Sequence, residues 1–464
     1  MSGFSALNLA NSALTANQRA LEVTGQNIAN VNTEGYTRQR LELRAGNTAQ
    51  TYTFYSQSDN LGDGVNSETV SRIRDAFLER RGLAERGTVA STTAVDTAFD
   101  QLETSFGEPS KTGVQSLLTA TSSAWSQLSA TPKDSAAREA VLASNRSLAS
   151  SLNGLAASVD KQWSNTRGGT VDVLTEVNAS LREVAELNDA IRTATVQNLN
   201  TNDLLDQRDL LVTKLAATIG ASTVDGPDGT VNVVVGSTAV VTGNGASTVT
   251  LGGGVSLGAV PATPVVLTLG NGGPPLSPGG SVGGQIKVMN EVLPSYRTAL
   301  DGVAAQLAST VNTALSTGFD QTGGAGGPMF TGTTAATLTV ALTDPARIAA
   351  AAAGPVGADA SSDGRLADRL SVLGQAPGSA ETLYRGAVTR LGVEAGSATR
   401  AVASASAVAA QVDLARASVS GVNLDEEMTN LMVFKQSYAA AARLVTAIDE
   451  MLDVLINRTG LVGR

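Results

Sequence analysis

Two apolar stripes, one near each end of the chain, limit what this sequence can fold into more than anything between them. Near the N-terminus Leu7, Leu14, Leu21 and Ile28 recur every seven residues, with Ala6, Ala13 and Ala20 beside them. Near the C-terminus Leu424, Met428, Leu431, Tyr438, Val445, Ile448, Leu452 and Leu455 keep the three-and-four spacing of a helical seam. Each stripe is apolar on one side only, so neither helix is satisfied alone. The two are expected to pair with each other and with neighbouring subunits, and these residues form the candidate assembly interface. The first helix is expected over residues 4–31, about 40 Å long at the standard rise. Only Arg19 and Glu22 are charged in it, and its other face carries Ser, Thr, Asn and Gln. Such a helix is marginal by itself and gains order by burying its stripe.

Composition narrows the function further. A chain of 464 residues has room for two to four domains. Aromatics are only 3%, which suits long thin bundles and small β-domains. There is no cysteine, so disulfides, thiol catalysis and cysteine-held zinc are excluded. There is no histidine, which removes the side chain best suited to proton transfer near neutral pH and the usual imidazole metal ligand. No catalytic residue, metal site or cofactor is expected, and the chain reads as a structural protein rather than an enzyme. A formal charge of -10 with no concentrated basic patch argues against nucleic acid. Arg72, Arg74, Arg80, Arg81 and Arg86 are interleaved with Asp75, Glu79 and Glu85, the pattern of a solvated helix face. The first residues lack the basic and apolar regions of a signal peptide, and no run of about 18 apolar residues predicts a membrane span.

Between the stripes the organisation is nested. The first helix should stop at a turn, Asn30 to Tyr36, where Asn32, Thr33 and Gly35 tolerate turn dihedrals. Thr37–Leu43 alternates like a strand and residues 51–55 form a second candidate, so 36–70 reads as an extended connector. Helical periodicity then runs in pieces through 73–107, 110–128, 131–165 and 171–219, the longest about 50 Å. Thr131 ahead of Pro132 and Asp134 reads as a cap, and a break is expected near Asn198. From Ala221 to Gly284 there is no Lys, Arg or Glu, and short Val-rich runs are divided by Gly and Pro, the mark of a β insertion. Helix resumes at 287–315, a Gly-rich loop and short elements occupy 318–375, and a long Ala-rich helix fills 380–416. The fold class is mainly α with a β insertion. Residues 1–70 with 418–464 make a coiled-coil-like terminal assembly domain. Residues 71–220 with 285–417 make an elongated helical bundle, and 221–284 a small Gly- and Pro-rich β-domain. Two attachment points that lie close together would make that insertion a dispensable outer appendage.

The clusters that invite chemistry have plainer readings. Asn423 followed by Glu426 is a capping pattern, and Asp425, Glu426 and Glu427 suit the start of a helix dipole. Asp206, Arg208 and Asp209 read as exposed helix charges. Met428 and Met432 read as packing residues. The glycines at 323–327 lack any phosphate-binding fingerprint and read as a flexible surface loop.

The two ends also carry a family signature. Residues Leu7-Asn8-Leu9-Ala10-Asn11-Ser12-Ala13-Leu14, then Asn27-Ile28-Ala29-Asn30-Val31-Asn32-Thr33-Glu34-Gly35-Tyr36 with Thr37-Arg38-Gln39, resemble bacterial flagellar rod, hook and hook-associated axial proteins. Ser418 to Glu427 and Phe434-Lys435-Gln436-Ser437-Tyr438 complete the pattern. The interior blocks Leu204 to Asp209, Gly284-Gln285-Ile286 and Glu291 to Pro294 resemble the hook-associated branch that forms the hook–filament junction. Glu34 departs from the proline common in relatives. The resemblance implies a structural flagellar subunit that assembles with itself head-to-tail, growing without closure. It implies as partners the hook protein, a second hook–filament junction protein, and an export chaperone on the C-terminal helix, with no nucleic acid and no membrane. It places the chain in the extracellular flagellum, exported unfolded by the flagellar secretion system without a cleaved signal peptide; lack of cysteine suits that passage. Other axial proteins, among them the second junction protein, the hook protein and flagellin, are the alternative, and a surface adhesin would show no pairing of its ends.

Overall fold

The computed structural model describes residues 3–46, 64–352, 362–454 and 456. It is mostly α-helical with a β-rich insertion. The first helix, α1 (Gly3–Ala29), leads through the turn into an antiparallel hairpin of β1 (Gln39–Ala45) and β2 (Val65–Arg72). The segment expected as an extended connector is thus folded back on itself and packed on α1. The candidate strand at 51–55 lies outside the described residues.

A helical body follows, made by α2 (Ala76–Phe106), α3 (Val114–Ala130), α4 (Ser135–Val196) and α5 (Asn202–Ile219). Local chemistry sets the ends of these helices. The Asp75 side chain caps α2 by accepting from the Phe77 and Leu78 amides, and Gly107 ends it in the left-handed region. The cap of α4 is Asp134, accepting from the Ala136 amide, rather than Thr131. Helix α4 is continuous over 62 residues, about 90 Å, and runs straight through Gly168-Gly169. Propensity disfavours glycine there by about 1 kcal/mol each. Buried Trp163 on one side and Leu174 and Val177 on the other pack in two successive cores and outweigh it.

Next comes the insertion. Strands β3 (Ala221–Asp225), β4 (Val231–Val235), β5 (Thr238–Thr242) and β6 (Gly245–Ala246) form one antiparallel sheet in chain order. Strands β7 (Val249–Gly252), β8 (Val266–Leu269) and β9 (Pro275–Leu276) form another. The chain returns through α6 (Gly280–Lys287), a π-turn at Val288–Val292, and α7 (Leu293–Ser316). The short pair β10 (Phe330–Thr331) and β11 (Thr339–Val340), α8 (Arg365–Val372), α9 (Ala380–Ser420) and α10 (Leu424–Asp453) complete the order. Exit and return of the insertion meet closely: Gly220, with φ 68°, faces Gly279, where an added Cβ would stand 2.5 Å away. Gly284 lets α6 approach α2 so closely that a Cβ would lie 2.4 Å from the Ser91 carbonyl oxygen.

Two cores fill this frame. One joins α2, α3, α4, α7, α8 and α9, with Trp125, Trp163, Tyr296 and Tyr384 fully buried. The Trp163 indole donates to the Met289 carbonyl in the π-turn, 3.0 Å. The Tyr296 ring stands edge-on to Phe99 and Phe106 and beneath the Arg390 guanidinium, and its hydroxyl donates to Glu394. In the other core Leu174, Val177, Leu181 and Val184 of α4 and Val212, Leu215 and Ile219 of α5 meet Val233, Val235, Val240, Val241 and Leu267 of the sheets. Leu257, Val260 and Val265 of the insertion reach the first core as well. The attachment points of the insertion thus meet as expected, but it is no loose appendage, because its strands cover one side of α4 and α5. The loop at 319–327 is likewise fixed rather than loose: Asp320 is buried and accepts from the Thr322 and Gly324 amides.

Replacing 222–283 with a short Gly/Ser linker should expose the α4 and α5 side of this core. The shortened chain is expected to melt at markedly lower temperature and to bind an apolar dye that the parent excludes. The single change Leu267→Ala should cost about 2–5 kcal/mol in urea unfolding.

Candidate assembly interface

The helices α1 and α10 pack along each other, joining the two ends of the chain. Both meet at the turn: Asn27, near the end of α1, lies against Glu427, in the first turn of α10, so the pair is antiparallel. The most buried residues of α1 are Ala10, Ala16, Ala20, Val23, Thr24 and Asn27. Leu7, Leu14, Leu21 and Ile28 lie on the flank of that face and are half-buried. On α10 Ile448 is buried, and Leu431, Val445 and Leu452 are half-buried. Leu424, Met428 and Tyr438 are exposed, and so are Met432, Val433, Leu444, Met451, Val454 and Ile456. Met428 and Met432 thus face outward within one chain instead of packing, and Leu455 lies outside the described residues.

A polar node holds the junction of helix, turn and strand. The Asn27 amide donates to the Gln39 carbonyl at 2.9 Å and to Glu427 at 3.2 Å. Its oxygen accepts from the Tyr36 hydroxyl at 2.9 Å and the Gln39 amide at 3.0 Å. Arg38 donates to Glu427 at 2.7 Å and to Glu426 at 2.8 Å. Glu427 is only 2% exposed, so it is a buried charge with a bonded partner rather than a plain helix-start acid. Asn423 does cap α10, accepting from the Asp425 and Glu426 amides. In the turn, Thr33 donates to the Asn30 side chain, Asn32 is exposed, and Gly35 takes φ 83° above Leu210. Burial first, then the charges of Asp206, Asp203 and Glu427, push the Tyr36 phenol up to about 12.

A second set of charges ties this node to the body. The Thr37 amide donates to Asp206 at 3.1 Å, and Arg72 donates to Asp206 at 2.7 Å and Asp209 at 2.8 Å. Arg74 bridges Asp209 and Glu79, and Arg416 bridges Glu79 at 2.7 Å and Asp413 at 3.3 Å. Asn202 donates to Gln39 and to the Val70 carbonyl. Arg208 is buried, donating to the Gly229 carbonyl, and burial lowers its pKa. These residues correct the reading of Arg72, Arg74, Asp206, Arg208 and Asp209 as exposed helix charges. A helical acid one turn from another gives no local sign of burial. Glu427 gave one, since it stands seven residues before Phe434 and fourteen before Ala441. Among the described residues no group of three or more carboxylates is placed to hold a metal ion.

The profile of the flagellar hook-associated protein FlgK helical domain matches residues 99–330. The flagella basal body rod protein profile matches 7–37, and the C-terminal profile of the flagellar basal body rod FlgEFG proteins matches 416–458. Flagellar hook-associated protein 1 of Bacillus subtilis is 29% identical, with the whole of both chains aligned. The Escherichia coli protein of the same name is 25% identical over 98% of this chain and 99% of its own. The flagellar hook junction protein FlgK of Burkholderia pseudomallei has a similar fold, with TM-score 0.65 and 16% identity over 73% of this chain and 100% of that one.

Breaking the ladder at its centre tests its weight. Arg72→Met leaves Asp206 and Asp209 short of a partner and should cost about 3–5 kcal/mol in urea unfolding. Burial alone would raise the Glu79 pKa, but its bonds to Arg416 and the charges of Arg74 and Arg416 hold it below its usual 4.5. The folded state therefore binds fewer protons there than the unfolded chain. Stability from Glu79 is complete above the unfolded value and is lost as pH falls through the lower folded one. Thermal melts from about pH 6 to about pH 3 should slope downward, and Glu79→Gln should flatten that slope.

Proposed function

Because the chain belongs to the flagellar hook-associated protein FlgK family, we propose that it is a structural subunit of the bacterial flagellum that forms the junction between hook and filament. The observation that carries this reading is the antiparallel pair of first and last helices, whose apolar residues are only partly covered within one chain. A helix that leaves Leu424, Met428, Met432, Leu444 and Met451 in water has apolar surface to bury against other protein. Neighbouring subunits supply that cover when contacts repeat head-to-tail along a tube. The half-buried row Leu7, Leu14, Leu21 and Ile28 is available on the other member of the pair.

The partners follow from position at a junction. On one side lies the hook protein and on the other a second junction protein, onto which the filament is built. The exposed apolar face of α10 also needs covering before assembly, the task of an export chaperone. Among the described residues no helix is long and apolar enough to cross a membrane. The extracellular flagellum, reached through the flagellar secretion system, is the proposed location.

Cells carrying Ile448→Ala together with Leu452→Ala test the assembly role, each change removing about 2–5 kcal/mol where fully packed. The body should still fold, while filaments detach, swimming fails and filament subunits appear in the medium. Normal filament attachment by a stably produced double variant would refute the proposal.

A further inference from the structure

Three asparagines occupy helical positions next to the β insertion. Asn178 and Asn188 lie on α4 among Leu174, Val177, Leu181 and Val184, which pack on the sheets, and Asn290 lies in the π-turn. Asparagine is a poor helix former, and a buried amide is costly unless its donors and acceptor are used. Here they are used in one repeated way. Asn178 donates to the Val249 carbonyl at 2.9 Å and accepts from the Val249 amide at 2.8 Å. Asn290 does the same with Val265, both bonds 2.8 Å. Asn188 is fully buried; it donates to the Val231 and Gly243 carbonyls and accepts from the Val231 amide and Arg208. In each ring a side-chain amide stands where the peptide group of a further strand would stand.

The bonded residues sit where a sheet offers no partner. Val231 opens β4, Val249 opens β7, and Val265 directly precedes β8. The Gly270 amide donates to the Thr248 carbonyl, so Val249, next along, turns its N–H and C=O toward the open edge of β7. Asn188 fills the mouth where β4 and β5 part beyond the Val233 and Val241 pair.

We infer that Asn178 and Asn290 are positioning residues that fix the orientation of the sheet β7–β9 on the helical body, as Asn188 does for β3–β6. Both chain links between insertion and body lie at the neck, at Gly220 and Gly279. A part tethered at one place can still turn about it. The apolar face of the sheets opposes lifting, but apolar attraction has no direction of its own. Paired hydrogen bonds do have direction, and these stand on two different helical segments. The seat of Asn290 is itself fixed to α4. In the π-turn the Leu293 amide donates to the Val288 carbonyl, but Pro294 has no N–H for the next carbonyl, Met289. The Trp163 indole donates to it instead. Both mounts of the second sheet therefore refer to the same long helix.

The cysteine-free sequence makes a direct test simple. Ser164→Cys on α4 and Asn271→Cys in the turn after β8 place spin labels on exposed positions of the body and the sheet. Pulsed dipolar spectroscopy on the full chain should give one narrow distance. Adding Asn178→Leu and Asn290→Leu keeps side-chain volume and removes both mounts. The distance distribution should broaden, and exchange of the Leu267 and Thr268 amides, which touch neither asparagine, should rise about tenfold from the bonds lost. Exchange in β4 should stay at the parental rate. Asn312→Leu is the control: Asn312 makes the same pair of bonds to Phe330, far along the chain in β10, and its loss should leave the distance narrow. Should the double variant not fold, Asn178→Leu alone carries the test, since Asn178 is only half-buried. A folded variant that keeps the narrow parental distance, or one whose exchange rises equally throughout the chain, would show that these asparagines add stability without setting the orientation of the sheet.

Discussion

The Glu427 carboxylate, enclosed by Arg38 and Asn27, is the contact on which the rest of the arrangement depends, because it is where the two chain ends, the turn and the first hairpin come together. A charge at that depth is tolerated only with bonded partners of fixed geometry. Its presence therefore constrains every element that supplies one. The turn sequence acquires a physical meaning from it. Asn27 uses both ends of its amide, Tyr36 supplies a hydroxyl, Thr37 and Gln39 supply backbone groups, and Gly35 permits the left-handed step that brings them round. From the same place the charges of Arg72, Asp206, Asp209, Arg74, Glu79 and Arg416 run on into the body as alternating pairs.

Much of the fold was legible in the chain, and the reasons differ by element. Periodicity located the terminal helices, and the loss of Lys, Arg and Glu after Gly220 marked the β region, since both are properties of consecutive residues. What escaped was set by distant neighbours. Nothing beside Asp206 shows that Arg72 and the Thr37 amide will cover it. Nothing around Gly168-Gly169 shows that cores on both sides will hold the helix through them. The Val-rich strands disclosed a sheet but not that its inner face would complete the packing of α4 and α5. At the candidate interface the leucine and methionine rows were the conspicuous signal, while Ala20 figured only as a neighbour of the leucines and Asn27 only as part of a signature, because small and polar residues carry little hydropathy contrast, although α1 buries both more deeply than its leucines.

The continuous α4 has a mechanical consequence. One end of it belongs to the core of aromatic and leucine residues, the other to the core shared with the β-sheets, and no linker lies between them. Two globular parts joined by a flexible strand can turn against each other at little cost. Two parts threaded on one helix can do so only by bending or twisting a rod whose every turn is closed by backbone hydrogen bonds. Bending one core against the other would therefore strain the backbone of α4 and, with it, the contacts that Leu257, Val260 and Val265 of the insertion make with the first core.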